Sequence, residues 1–110
     1  MAHRELNMPV DLVLVRHGQS EGNLYDEIDA SGVKLGREDE ANELKRQLHG
    51  RHTSEWRLTD LGRHQASRAG RIVSERVLNQ IGSFDKAYVS SYARAMETAA
   101  CLDLPDLKFH

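Results

Sequence analysis

Two short segments carry the residues with the strongest chemical meaning. The first is Arg16-His17-Gly18, followed after Gln19 by Ser20, Glu21, Gly22 and Asn23. The second is Ser91 to Thr98, with Arg94 near its start. Each guanidinium can grip a phosphate with two parallel hydrogen bonds. A neutral imidazole is a competent nucleophile toward phosphorus. Two arginines around one histidine therefore suggest phosphoryl transfer, with positive charge holding the equatorial oxygens of the moving group. Gly18 removes a side chain where backbone must come close. No metal and no cofactor is called for, because the arginines supply the positive charge. His49 and His52 are near each other in sequence, but nothing completes a ligand set around them.

These residues need elements to place them. Val10-Asp11-Leu12-Val13-Leu14-Val15 is nearly all apolar and rich in β-branched residues. That pattern predicts a strand buried on both faces of a parallel sheet. A glycine-containing turn and a helix start follow it. Residues 25–53 are polar, with an exposed helix predicted over residues 38–48 and with Gly32, Gly36 and Gly50 as punctuation. Thr59 is placed to cap a further helix, and Asp60 suits its positive end. Ala66, Ala69, Val73 and Val77 then share one face of that helix, which Gly82 ends. Residues 84–90 read as a second strand. Ser91 can cap a helix over residues 92–102 that Pro105 stops.

The predicted order is strand, helix, insertion with a helix, helix, strand, helix. It implies a three-layer α/β fold with parallel strands. In such sheets ligands bind beyond the carboxyl ends of the strands. Arg16 and His17 end the first predicted strand and Arg94 follows the second. If the two strands are neighbours, both arginines meet over one pocket. The helix N-termini near Ser20 and Ser91 would aim backbone N–H groups at the same anion.

The bulk numbers narrow the class. The chain has 110 residues, 39% hydrophobic and 29% charged, an ordinary balance for one small domain. Its formal net charge is -2, from 15 basic and 17 acidic side chains. That argues against a nucleic-acid partner, which would need a basic excess on one face. The longest apolar run is too short to span a bilayer, and the first residues lack a signal-peptide core. One cysteine, Cys101, excludes an intrachain disulfide and reads as a small buried hydrophobe. The expectation is a cytoplasmic protein with a phosphorylated small-molecule substrate and no membrane partner. An open sheet edge would also allow homo-oligomers.

Three segments in order resemble a known family. Leu14-Val15-Arg16-His17-Gly18-Gln19-Ser20-Glu21-Gly22-Asn23 is similar to the RHG signature of the histidine phosphatase superfamily, the phosphoglycerate mutase-like proteins. Leu58-Thr59-Asp60-Leu61-Gly62 is similar to the L-T-x-x-G that opens the family's next long helix. The stretch from Ser90 to Ala99 is similar to its S-x-x-x-R-x-x-x-T-A segment. The resemblance implies a three-layer α/β/α fold with a mainly parallel sheet. It implies catalysis by His17, Arg16 and Arg94, with His17 phosphorylated in the cycle. Arg16 and Arg94, with Asn23 and Ser20, would bind the phosphate.

The family's second histidine and its leaving-group acid have no match here. His49-Gly50 follows a helical pattern and is not accepted as the equivalent. Residues 1–110 are therefore expected to be the N-terminal portion of one histidine phosphatase domain, with a polar insertion at about residues 24–57. The leading function is phosphomonoester hydrolysis through a phosphohistidine. A phosphoglycerate-type mutase is the alternative within the family, and a non-catalytic phosphate-binding or regulatory module is the alternative of another class. Glu97 is read as pairing on its own helix face, and Trp56 and Leu58 as packing residues.

Overall fold

A computed structural model describes residues 11–110, without the side chains of residues 31–35. The described chain is helical. Helix α1 spans Glu21–Leu35 and α2 spans Glu38–Leu48. A 3-10 turn covers Thr53–Glu55. Helix α3 runs over Asp60–Val73 and continues through a π-helical stretch, Ser74–Leu78, into the short α4, Asn79–Ile81. Helix α5 is Ala93–Cys101.

Local chemistry accounts for these bounds. In α1, Ser20 and Asn23 form a reciprocal cap. The Asn23 N–H donates to Ser20 Oγ at 3.2 Å, and the Ser20 N–H donates to Asn23 Oδ1 at 3.0 Å. Helix α2 opens on Glu38, Asp39 and Glu40 and closes on Lys45 and Arg46, which complements its dipole. Arg37 at its N-cap bonds Glu40 at 2.9 Å. Thr59 caps α3 by accepting the Gly62 N–H at 3.1 Å, as its position predicted. Gly82, with φ of 84°, ends the α3–α4 run in a conformation that glycine adopts freely. Ser91 does not cap α5; Tyr92 occupies the N-cap, and Ser90 Oγ accepts the Tyr92 N–H at 3.2 Å.

The elements form two packed bodies. Helices α1 and α2 make a hairpin whose core is Ile28, Ala41 and Leu48. Helix α3 packs on α5; Ala66 and Val73 of α3 are buried, and so are Leu58 just before α3 and Leu102 just after α5. The two helices approach closely at Gly70. A methyl there would come within 2.6 Å of the Leu102 carbonyl carbon, and nearer still to its oxygen. Hairpin and helix pair together give an elongated molecule of 63 × 31 × 23 Å. Its radius of gyration, 18.2 Å, exceeds the roughly 13 Å of a compact chain this long.

The expected three-layer α/β/α fold with a parallel sheet is not observed. Among the described residues there is no β-ladder, only two isolated bridges. Ser20 pairs antiparallel with Leu58, and Ala87 pairs parallel with Phe109. Val10, the first residue of the first predicted strand, lies outside the described residues. The rest of that run is exposed, with Leu12 at 70% and Leu14 at 85%. The second predicted strand contributes only the bridge at Ala87, flanked by hydrogen bonds between His110 and Ala87 (2.9 Å) and between Val89 and His110 (3.0 Å). The reason is that a strand is a cooperative, non-local object. Its side-chain pattern is local, but its hydrogen bonds need a neighbour in register, and isolated pairs are marginal. The predicted helices close their own bonds and do form.

Candidate active site

The three motif segments converge on one junction. Gly18 lies against the first turn of α3: a methyl on Gly18 would stand 2.8 Å from both the Cα and the carbonyl carbon of Gly62. The absence of a side chain at Gly18 is therefore required by backbone approach. Next to it, the Gln19 carbonyl accepts the Thr59 N–H at 2.9 Å, and the Gln19 N–H donates to Gln65 at 2.8 Å. The Glu21 N–H donates to the Arg57 carbonyl at 2.8 Å. These bonds fasten the loop after His17 to the start of α3.

The same loop reaches α5. The Gly18 N–H donates to Thr98 Oγ1 at 3.3 Å, and Thr98 Oγ1 donates to the Arg94 carbonyl at 2.7 Å. Thr98 is 4% exposed, and Gly18 is buried. The third side of the junction is Glu97. Its carboxylate accepts both Arg57 Nε at 3.1 Å and the Leu58 N–H at 3.2 Å, with Arg63 Nη1 3.6 Å away. Glu97 thus pairs across to α3 and the segment before it, and no longer reads as a partner for its own helix face.

His17 is half-buried, and its Nδ1 lies 2.7 Å from the Gly18 carbonyl oxygen. A carbonyl only accepts, so Nδ1 carries the hydrogen and donates it. In the neutral ring the lone pair is then on Nε2. Arg94, on the first turn of α5, donates from Nη1 to the Thr53 carbonyl at 2.6 Å and stacks 4.7 Å above the Tyr92 ring. That uses one of the five N–H donors of a guanidinium. Arg16 is exposed, with no ion-pair partner among the described residues. Ser20 and Asn23 are occupied with each other: Ser20 Oγ also donates to Asn23 Oδ1 at 3.0 Å. The Glu21 and Asn23 amides in the first turn of α1 are likewise taken, by the Arg57 carbonyl and Ser20 Oγ. The structure thus brings the backbone beside His17 to the helix bearing Arg94, through Gly18 and Thr98.

Charge around the junction is arranged in pairs. Burial raises the pKa of Glu21. The hydrogen bonds from Arg51 and from the Arg57 N–H, with both guanidinium charges, outweigh that and hold it below the ordinary carboxylate value. Arg57 is held above the usual guanidinium value by its hydrogen bond to Glu97 and by that carboxylate's charge. An open hollow of about 360 Å³ also borders α5, lined in part by Met96, Ala99, Asp103 and Phe109. At about 100° per residue, Met96, Ala99 and Ala100 lie opposite Arg94 and Thr98 on the helix, so this hollow is separate from the junction.

Trp56 and Leu58 behave as packing residues. Leu58 is 3% exposed, and Trp56 lies over Gly22, where a methyl would meet the indole carbons at 2.6 Å. Sequence reasoning gave no role to Gln19, Arg57 or Thr98. A signal for Thr98 was present, since a helical threonine commonly bonds the carbonyl four residues back, here that of Arg94.

The model of the histidine phosphatase superfamily (branch 1) matches residues 12–106. The chain belongs to the histidine phosphatase superfamily. The matched span contains all three junction segments. Comparison with curated proteins returns no match, and neither does comparison with solved structures. Among the described residues, no helix of this superfamily member is long and apolar enough to cross a membrane.

Proposed function

We propose that this chain carries out phosphoryl transfer through a phosphohistidine at His17, ending in hydrolysis of a phosphomonoester. The observation that carries the reading is the hydrogen bond from His17 Nδ1 to the Gly18 carbonyl, 2.7 Å. Within the neutral imidazole it selects the tautomer with a lone pair on Nε2, the form a nucleophile requires. That lone pair attacks phosphorus, and the ester P–O bond breaks with its electrons on the leaving oxygen, which takes up a proton from water. The Gly18 carbonyl continues to accept from Nδ1 as the ring gains positive character. Water then attacks phosphorus, the N–P bond returns its electrons to Nε2, and inorganic phosphate leaves with loss of a proton. In this reading Arg16 and the remaining donors of Arg94 hold the equatorial oxygens. Ser20 and Asn23 contribute by capping α1 and so shaping the loop. The substrate is a small phosphomonoester, and the single cysteine fits a reducing, cytoplasmic setting.

The test is labelling with radioactive phosphoramidate, quenched in parallel in acid and in alkali. The expected result is an acid-labile, alkali-stable label that His17→Ala abolishes. Arg94→Ala should slow its formation by about 10²–10³-fold, by analogy with loss of a pre-positioned oxyanion donor. A label that survives in His17→Ala, or a wild-type protein that takes up none, overturns the proposal.

A further inference from the structure

The geometry points to Thr98 as a positioning residue for the nucleophile, an inference that rests on the phosphohistidine reading. Three hydrogen bonds, joined through the backbone of Gly18, link the helix of Arg94 to the imidazole. Thr98 Oγ1 donates to the Arg94 carbonyl at 2.7 Å. The same oxygen accepts the Gly18 N–H at 3.3 Å. The Gly18 carbonyl accepts from His17 Nδ1 at 2.7 Å. The Gly18 residue is thus held at its N–H by Thr98 while its carbonyl orients the ring of His17.

Only a hydroxyl can fill this place. It must donate along the helix and accept from the loop at once, which serine also does and valine cannot. Burial strengthens the requirement. Thr98 is 4% exposed and Gly18 is buried, so water does not substitute readily for the lost partner. The hydroxyl therefore sets the distance between the loop that presents His17 and the helix that presents Arg94. Glu97, one residue earlier, holds α5 against Arg57 and Leu58, but bonds neither Gly18 nor Arg94 in the structure.

The experiment compares wild type, Thr98→Val and Thr98→Ser in the phosphoramidate assay at saturating donor, well below each variant's unfolding temperature. Thr98→Val should form the phosphohistidine at least about tenfold more slowly, since a misplacement near 1 Å costs on the order of 10²-fold. Thr98→Ser should restore the rate to within about threefold, because it keeps both hydrogen bonds. Hydrogen exchange at the Gly18 amide provides a readout on the wild-type protein itself, and it should be slow. Equal labelling in wild type and Thr98→Val overturns the role, and so does a Thr98→Ser rate as low as that of Thr98→Val. A Gly18 amide that exchanges as fast as an unstructured peptide overturns it without any variant having to fold. A wild-type protein that never labels is a different failure: it removes the phosphohistidine reading as a whole.

Discussion

Gly62→Ala should destabilise this protein although it replaces a helical glycine with the best helix former. Gly62 sits in the first turn of α3, against the loop after His17. A methyl there would meet the Gln19 backbone, with the nitrogen and carbonyl carbon both at 2.9 Å and the oxygen nearer. Ordinary carbon contacts begin at about 3.5 Å, so one backbone must retreat by roughly 0.6 Å or more. Neither side has a rotamer that would relieve the contact. Retreat would also strain the bonds that hold the loop, Thr59 N–H to the Gln19 carbonyl at 2.9 Å and Gln19 N–H to Gln65 at 2.8 Å. Overpacking costs about 1–3 kcal/mol, and one weakened hydrogen bond about 1 kcal/mol more. Helix propensity returns about 1 kcal/mol. The net expectation is a loss of about 2 kcal/mol, or roughly 10 °C in Tm for a chain of this size. Urea unfolding followed by circular dichroism measures it. Ser67→Ala, on the exposed side of α3, is the control and should stay within about 0.5 kcal/mol of wild type. A Gly62→Ala protein as stable as wild type would refute the close backbone approach and the convergence built on it.

Two further outcomes follow from the charge pairs. Glu97→Gln keeps an acceptor for the Leu58 N–H but loses the charge facing Arg57 and Arg63, and should lower stability by about 1 kcal/mol. The difference should narrow as salt is added; an unchanged urea midpoint at low salt would count against the junction. Glu21 has its pKa lowered on folding, so its ionised form contributes stability that is present above the ordinary carboxylate value. That contribution is lost as pH falls through the folded value. The stability gap between wild type and Glu21→Gln should therefore be full near neutrality and shrink below about pH 4. A gap that is constant from neutral to acid pH would refute the assignment.

Several features were legible because they depend on residues near one another in the chain. Thr59 as a cap, the α2 bounds at Glu38 and Leu48, the stop at Gly82, and the buried stripe of Ala66 and Val73 all follow from local geometry and helical period. Family membership was legible for a related reason: the three motifs are strings of residues in order.

The sheet was not legible. The run through Leu12 and Leu14 has the composition of a buried strand, yet composition does not supply the partner whose N–H and C=O groups a strand must meet. Among the described residues it stays exposed and unpaired, while Ala87 and Phe109 make a single parallel bridge.

By itself, the sequence determined the helices and the Thr59 cap, and it singled out His17, Arg16 and Arg94 as the candidates for phosphoryl chemistry. Only the tertiary structure decided how the segments holding them meet: Gly18 against Gly62, Glu97 across to Arg57, and Thr98 between Gly18 and Arg94. Helical hydrogen bonds close within four residues and can be read from a window of sequence. The contact between Gly18 and Thr98 spans 80 residues, and its existence depends on every packing distance between them.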